Sequence, residues 1–420
     1  MENFIMDRII FHSDINSCYA SIEHLYHPEL RDLPLAVAGS EEARHGIILA
    51  KDEKAKRAGV KTGMAIWQAK QLCPELVTLP PRLNFYVRFS NRVQKIYADY
   101  TDMRESFGID ESWLDLTGCI NPSEALDVAN EINRRVKDEL GVTVSIGVSW
   151  NKIFAKLGSD YKKPDAVTQI SRENYQSIVW PLPVEDLLYV GRATTAKLRS
   201  IGISTIGDLA LADPELLHRI MGKMGYAIHA FANGLDSSPV RRTDLSAPIK
   251  SVGNSTTCPR DLVCDEDVRI TLLALSESVG MRLREGGFKG RVLSVSVRGT
   301  DLSWRSHQIK LAMPTDITME IFRGGMALFS QLHTWPLPIR SLGISVSDLS
   351  SADAPEQTDI FGDCSKRHNH RELDLAIDSL RGRFGFDIIR RGLASSDLAL
   401  GGVNAKDDHI VHPIGFFGGH

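Results

Sequence analysis

The chain has 420 residues, 43% of them hydrophobic and 24% charged, with a formal net charge of −4. That length is too great for one hydrophobic core and predicts three or four domains. The negative balance excludes a uniformly basic coat for nucleic acid but leaves local basic surfaces open.

Six scattered cysteines (Cys18, Cys73, Cys119, Cys258, Cys264 and Cys364) form no C-x-x-C pair. This fits free thiols in a reducing cytoplasm and gives no structural zinc site. No apolar run approaches the roughly 18 residues that span a bilayer, and there is no signal-peptide core. A cytoplasmic protein with no membrane partner is expected.

The first element in chain order is R-I-I-F-H-S (Arg8 to Ser13), a short apolar strand ending at Asp14. Tyr19, Ile22 and Leu25 then recur at helical spacing. An acid between a strand and a helix serves as an N-cap or as a metal ligand, and on this segment alone the cap is the commoner role. After Pro34 come two short apolar strands with a polar turn, then a helix, a Gly turn and a second helix rich in Lys and Arg. Most of those cations fit a solvated helix face.

From Asn84 to Tyr100 an amphipathic helix (Phe85, Phe89, Val93, Ile96, Tyr100) leads into F-G-I-D-E-S-W-L-D-L-T-G, Phe107 to Gly118. Here Asp110 and Glu111 stand side by side among residues that favour strand or burial, where acids are costly unless solvent or a cation receives them. Adjacent strand residues point to opposite faces, so the pair reaches one site only at a tight hairpin bend. Such a bend holds two hard oxygen ligands suited to magnesium, and ordinary turn acids are the alternative. With Asp14 there are three carboxylates, enough to hold two divalent ions in a phosphoryl-transfer site. Pro122 to Leu140 is predicted as a helix, Thr143 to Ser149 as a strand and Asn151 to Tyr161 as a helix, which completes a β-α-β-β-α-β order of ferredoxin-like type.

Val184 to Leu209, with Gly191 and Gly202 between short helices, looks like a helix-hairpin-helix whose turn offers N–H groups to a DNA phosphate, with plain helix packing as the alternative. Ser237 to Lys250, with two prolines and the Arg241-Arg242 pair, reads as an exposed linker. Strands and helices alternate from Ser251 to Ser350. Between Met281 and Lys310 there are seven Lys or Arg against two acids, a phosphate-binding face or else a solvated surface. A polar tether follows to Gln357, then a helix near Leu373 to Arg383 and a Gly/His-rich end.

Three blocks, D-I-N-S-C-Y-A-S-I-E, G-I-D-E-S-W-L-D-L-T-G and S-I-G-V-S-W-N-K-I-F-A-K-L-G-S-D-Y-K-K-P-D-A, resemble in content, order and spacing the Y-family (DinB-like, DNA polymerase IV type) translesion DNA polymerases. The resemblance runs from about Arg8 to about Ser350. It implies an α+β multidomain chain with a ferredoxin-like palm (1–17 and 83–176) and small fingers (18–82). A helix-hairpin-helix thumb (177–241), a linker (242–250), an α/β little finger that grips DNA (251–350) and a tail (351–420) follow.

The resemblance also implies a DNA-template-directed polymerase that adds dNTPs to a primer 3′-hydroxyl, with low fidelity and no proofreading, in DNA damage tolerance and repair. Asp14, Asp110 and Glu111 would hold two Mg2+ ions, with the backbone carbonyl of Ile15 as an extra ligand. Tyr19, five residues after Asp14, matches the steric gate against a 2′-hydroxyl. Lys56 and Lys163 fall at the triphosphate cations. Glu53 stands where the family usually has a phosphate-binding Tyr, and Ala50 replaces a usual hydroxyl residue; Glu53 is expected to turn towards Lys56 or Arg57. Gln357, Ile360 and Phe361 resemble the peptide that docks on the sliding clamp. Primer-template DNA, dNTPs and the clamp are the expected partners of a monomer. The rival readings are a catalytically silent scaffold, which would be expected to lose the carboxylates, and a metal nuclease, which gives no reason for a gate or a thumb.

Overall fold

The computed structural model of the protein describes residues 7–40, 46–242, 248–354 and 364–402. Contacts divide the chain into two compact units, one comprising mainly residues up to 247 and the other mainly residues 248–411.

In the first unit the strands are β1 (Ile10–Ile15), β2 (Leu35–Ala38), β3 (Ile48–Lys51), β4 (Val77–Leu79), β5 (Arg104–Ser106), β6 (Glu111–Asp115), β7 (Val144–Ser149) and β8 (Val167–Gln169). Five of them form one sheet in the order β5-β6-β1-β7-β8, and β3-β2-β4 form a small second sheet. Every residue of β1 is buried, as a central strand covered on both faces must be. Helices Leu83–Ala98 and Ala125–Leu140 cover one face, with Phe89, Val93, Ile96, Ala129, Ile132 and Val136 in a core shared with Phe11, Leu114 and Val148. The expected helix from Pro122 divides into a short 3₁₀ turn, Pro122–Glu124, and an α-helix from Ala125.

The other face receives helix Lys152–Tyr161, capped by Asn151, whose side-chain oxygen accepts from the Phe154 N–H at 2.8 Å. It lies unusually close because Gly147 on β7 presents no side chain: a Cβ there would stand 1.9 Å from the Ala155 carbonyl oxygen. Ile153, Phe154 and Leu157 of this helix also join the core of the short helices between 175 and 232.

The linker expected from Ser237 is not exposed at its start. Val240 is 1% exposed and packs with Ile10, Trp113 and Ala155. Glu105 Oε2 accepts from the Arg241 N–H at 2.9 Å and from Lys152 Nζ at 2.7 Å, and Arg8 Nη1 donates to the Ser238 carbonyl at 2.8 Å. A buried Lys152 ammonium over the Trp113 ring, 4.4 Å from its centroid, completes this anchorage. Pro and Arg content suggested solvent; the hydrogen bonds to distant residues that fix the segment leave no local pattern.

The second unit is a four-stranded antiparallel sheet in the order β11-β10-β12-β9, built from β9 (Ser251–Leu262), β10 (Phe288–Gly299), β11 (Trp304–Thr315) and β12 (Ile339–Ser351). Helices Asp265–Glu285 and Thr318–Leu332 pack on one face through Leu272, Leu275, Leu328 and Phe329 against Leu293, Val295, Leu342 and Ile344. The tail contributes more than the sequence suggested. Its helix runs Cys364–Phe384, and beyond it Ala394 and Leu400 enter the same core.

A buried ionic lattice fixes that tail. Arg284 pairs with Asp374 and Asp378, Arg381 with Glu277, and Arg391 with both Glu277 and Asp374. Arg284, counted above in a basic surface, is thus turned inward, its side chain only 4% exposed. Asp374 also accepts the Thr318 N–H at 2.8 Å. Removing one member of a buried network strands its partners without compensation. Asp374→Ala is therefore expected to destabilise this unit by about 3–5 kcal/mol, read as an earlier urea-unfolding transition; an unchanged midpoint would show the lattice to be dispensable.

Candidate active site

The site is built on the edge where β1 meets β6. The two strands run antiparallel with Asp14 directly opposite Glu111, so both side chains lie on one face. Asp14 lies within the strand and does not cap the next helix; Ser17 occupies that position in a left-handed conformation, φ 49°. Asp110 sits in the bend between β5 and β6. There the Phe107 N–H donates to the Glu111 carbonyl at 2.8 Å and Gly108 supplies φ 99°. The Ile15 N–H donates to the Asp110 carbonyl at 2.9 Å, tying the bend to the end of β1. The adjacent acids therefore do sit at a hairpin bend beside Asp14.

Two lysines from the helix side meet these acids. Lys163 Nζ is 2.6 Å from Asp14 Oδ2, and Lys156 Nζ is 2.9 Å from Glu111 Oε2 and 3.4 Å from Asp14 Oδ2. Both also reach Asp160, at 2.6 Å from Lys163 and 3.3 Å from Lys156. Beneath them His12, fully buried, shares a hydrogen bond with Ser159 Oγ at 2.8 Å and turns Nε2 to within 3.3 Å of Glu111 Oε2.

The electrostatics follow from this crowding. Burial, then the charges of Asp14 and Glu111, push the Asp110 carboxyl up to about 6. Burial also raises Asp14, against the pull of Lys163. Burial opposes the Lys156 charge, yet Glu111, Asp160 and Asp14 outweigh it and hold the ammonium above its ordinary range. Burial and the nearby Lys156 keep the His12 imidazole neutral.

Three carboxylates thus stand close together in a largely buried place, with Lys156 and Lys163 as their nearest counter-charges. That donor set, all hard oxygens, fits divalent cations of the magnesium class. Among the described residues no three His, Cys, Asp or Glu side chains are already gathered as a metal cage; ammonium groups stand against Asp14 and Glu111 instead.

Tyr19 stacks on Tyr86, with ring centroids 4.4 Å apart and 14° between planes. The Tyr86 hydroxyl donates to Glu23 Oε1 at 2.5 Å, and Arg82 grips the same carboxylate while lying over the Phe85 ring. Burial and the field of Asp110 push the Tyr19 hydroxyl up to about 12, so it stays neutral.

Lys56 is not gathered with the carboxylates. It is exposed, and Glu53 Oε1 lies 3.3 Å from its Nζ, so Glu53 has turned towards Lys56 as expected. An exposed pair of this kind contributes at most about 1 kcal/mol. Ala50, half-buried on β3, packs against the core of the five-stranded sheet and its covering helices. Gln357, Ile360 and Phe361 lie outside the described residues.

Lys156, Asp160, Glu23 and Tyr86 were missed as site residues in the sequence. The available signal was the K-L-G-S-D spacing of Lys156 and Asp160, one helical turn apart.

In the second unit, the sheet face away from the helices is lined by small polar residues. Ser294, Ser296 and Arg298 on β10 lie across from Ser345, Gly343 and Ser341 on β12, which in turn face Gly253, Ser255 and Thr257 on β9. Hydroxyl groups and the Arg298 guanidinium on this face are donors suited to a polyanion backbone.

The impB/mucB/samB family matches residues 13–160, and the C-terminal domain of that family matches residues 249–360. DNA polymerase IV of Acetivibrio thermocellus is 49% identical over 94% of this chain and 99% of its own. DNA polymerase IV of Pelotomaculum thermopropionicum is 37% identical over 91% and 94%, and DNA polymerase IV 1 of Bacillus subtilis is 37% identical over 92% of each chain. A solved Y-family DNA polymerase chimera superposes with a TM-score of 0.72 over 81% of this chain and 98% of that one, at 23% identity. Fold and relatives together define a DNA-directed DNA polymerase. The chain belongs to the impB/mucB/samB family, the Y-family polymerases of DinB type. Among the described residues no helix is long and apolar enough to cross a membrane.

Proposed function

We propose that the chain carries out translesion synthesis, extending a primer on damaged template DNA with low fidelity and without proofreading, as a cytoplasmic monomer. The observation that carries this reading is Asp14 opposite Glu111, with Asp110 at the adjoining bend and Lys163 within reach.

Asp14, Asp110 and Glu111, with the Ile15 carbonyl, would hold two Mg2+ ions. Bound there, the ions would lower the pKa of the primer 3′-hydroxyl and neutralise the triphosphate and departing pyrophosphate. Lys163 would leave Asp14 to hydrogen-bond triphosphate oxygens, and Lys56 would add a second cation once freed from Glu53. The Tyr19 ring, held by Tyr86, would leave no room for a ribose 2′-hydroxyl. The loop at Gly191 and the open face of the four-stranded sheet would hold duplex phosphates without reading sequence. Gln357, Ile360 and Phe361 would dock the enzyme on the sliding clamp.

Primer extension, with a DNA gel shift beside it, tests these parts. Asp110→Ala or Glu111→Ala should give no extended primer while still shifting DNA on a gel; near-normal extension by either would sink the assignment. Tyr19→Ala should insert rNTPs at a much higher ratio to dNTPs, and an unmoved ratio would make Tyr19 a packing residue. Alanines at Ile360 and Phe361 should abolish stimulation by the clamp and leave clamp-free synthesis intact; equal stimulation would refute the docking.

A further inference from the structure

Helix Lys152–Tyr161 carries Lys156 and Asp160 one turn apart, and Lys163 lies just beyond its end. Each ammonium is shared between the acids on the strands and Asp160. Lys156 Nζ lies 2.9 Å from Glu111 and 3.3 Å from Asp160, while Lys163 Nζ lies 2.6 Å from both Asp14 and Asp160. The Asp14 and Lys156 side chains are only 9% and 13% exposed, whereas Asp160 is 44% exposed. Ionised carboxylates buried side by side require counter-charge, and here two lysines provide it. A divalent ion on the same oxygens would meet like charges a few ångströms away, so the ammonium groups have to withdraw. Asp160 already touches both, so an acceptor for the withdrawn ammonium groups stands within reach.

We propose that Lys156 is a resident counter-cation of the carboxylate site, displaced onto Asp160 by incoming divalent metal, and that Asp160 thereby sets how readily metal enters the DNA-free enzyme. The inference rests on Asp14, Asp110 and Glu111 being the metal-holding carboxylates. Lys156 and Asp160 then act as positioning residues, through the charge they take from or return to those three. A merely structural Lys156, one that only orients Glu111, predicts the opposite sign: its loss would weaken metal binding.

Mn2+ binding to the full-length, DNA-free protein, followed by the paramagnetic resonance signal of free Mn2+, distinguishes the two. Lys156→Met removes the competing charge and should tighten Mn2+ binding by about tenfold, the effect of one neighbouring charge on an acid's affinity for a cation. Asp160→Asn removes the acceptor and should weaken binding severalfold; being at a half-exposed position it supplies an independent arm should Lys156→Met fail to fold. Unchanged or weaker binding by Lys156→Met, or unchanged or tighter binding by Asp160→Asn, overturns the inference. Asp14→Asn is the separate control: if it binds Mn2+ as the parent does, the carboxylates are not the metal site and the underlying reading fails.

Discussion

The pairing of β1 with β6 is the constraint on which the rest of the site depends. It places Asp14 directly opposite Glu111 on one sheet face, an arrangement of like charges that by itself weakens a strand pair. The fold offsets it in two ways. Apolar neighbours in the same strands are fully buried, Phe11 and Leu114 in the core under the two covering helices and Trp113 in the packing on the other face, so a one-residue slip would force each into a space shaped for another side chain. A helix lying directly on Gly147 then brings Lys156 within ion-pair distance of both acids. The charge that makes the site useful to a cation is thus held by packing and moderated by lysines.

Much of this was legible in the sequence, though unevenly. The amphipathic stripe of the helix Leu83–Ala98 and the strand-forming run of β7 are local patterns, and both elements lie close to their expected ranges. The adjacency of Asp110 and Glu111 among strand residues pointed to a bend for a physical reason, and the bend is there. Asp14 was ambiguous alone, because a cap and a ligand both favour an acid between strand and helix. Its partner across the sheet lies nearly a hundred residues away, beyond the reach of any local pattern. Lys156 was invisible for a related reason: a lysine on a helix reads as a solvated face until the sheet beneath it is known.

The second unit shows the same limit from the opposite side. Counting basic residues between Met281 and Lys310 treated Arg284 as surface, whereas it lies inside an ionic lattice with Asp374 and Asp378 of the tail. Arg and Asp in a polar, low-hydropathy segment suggest solvent, and only the facing helix converts them into buried partners. Residues 364–402 of the tail are consequently part of the domain, joined to it by charge pairs and by Ala394 and Leu400 in its core.

The central claim is that Asp14, Asp110 and Glu111 hold the divalent ions of nucleotidyl transfer. Anomalous diffraction from crystals of the enzyme with a 3′-deoxy primer-template, a matching dNTP and Mn2+ tests it most directly. The account predicts Mn2+ peaks within about 2.0–2.2 Å of oxygens from all three carboxylates, with Lys163 moved from Asp14 to the triphosphate. Peaks elsewhere, with the Lys163–Asp14 and Lys156–Glu111 pairs intact beside a bound dNTP, would contradict it.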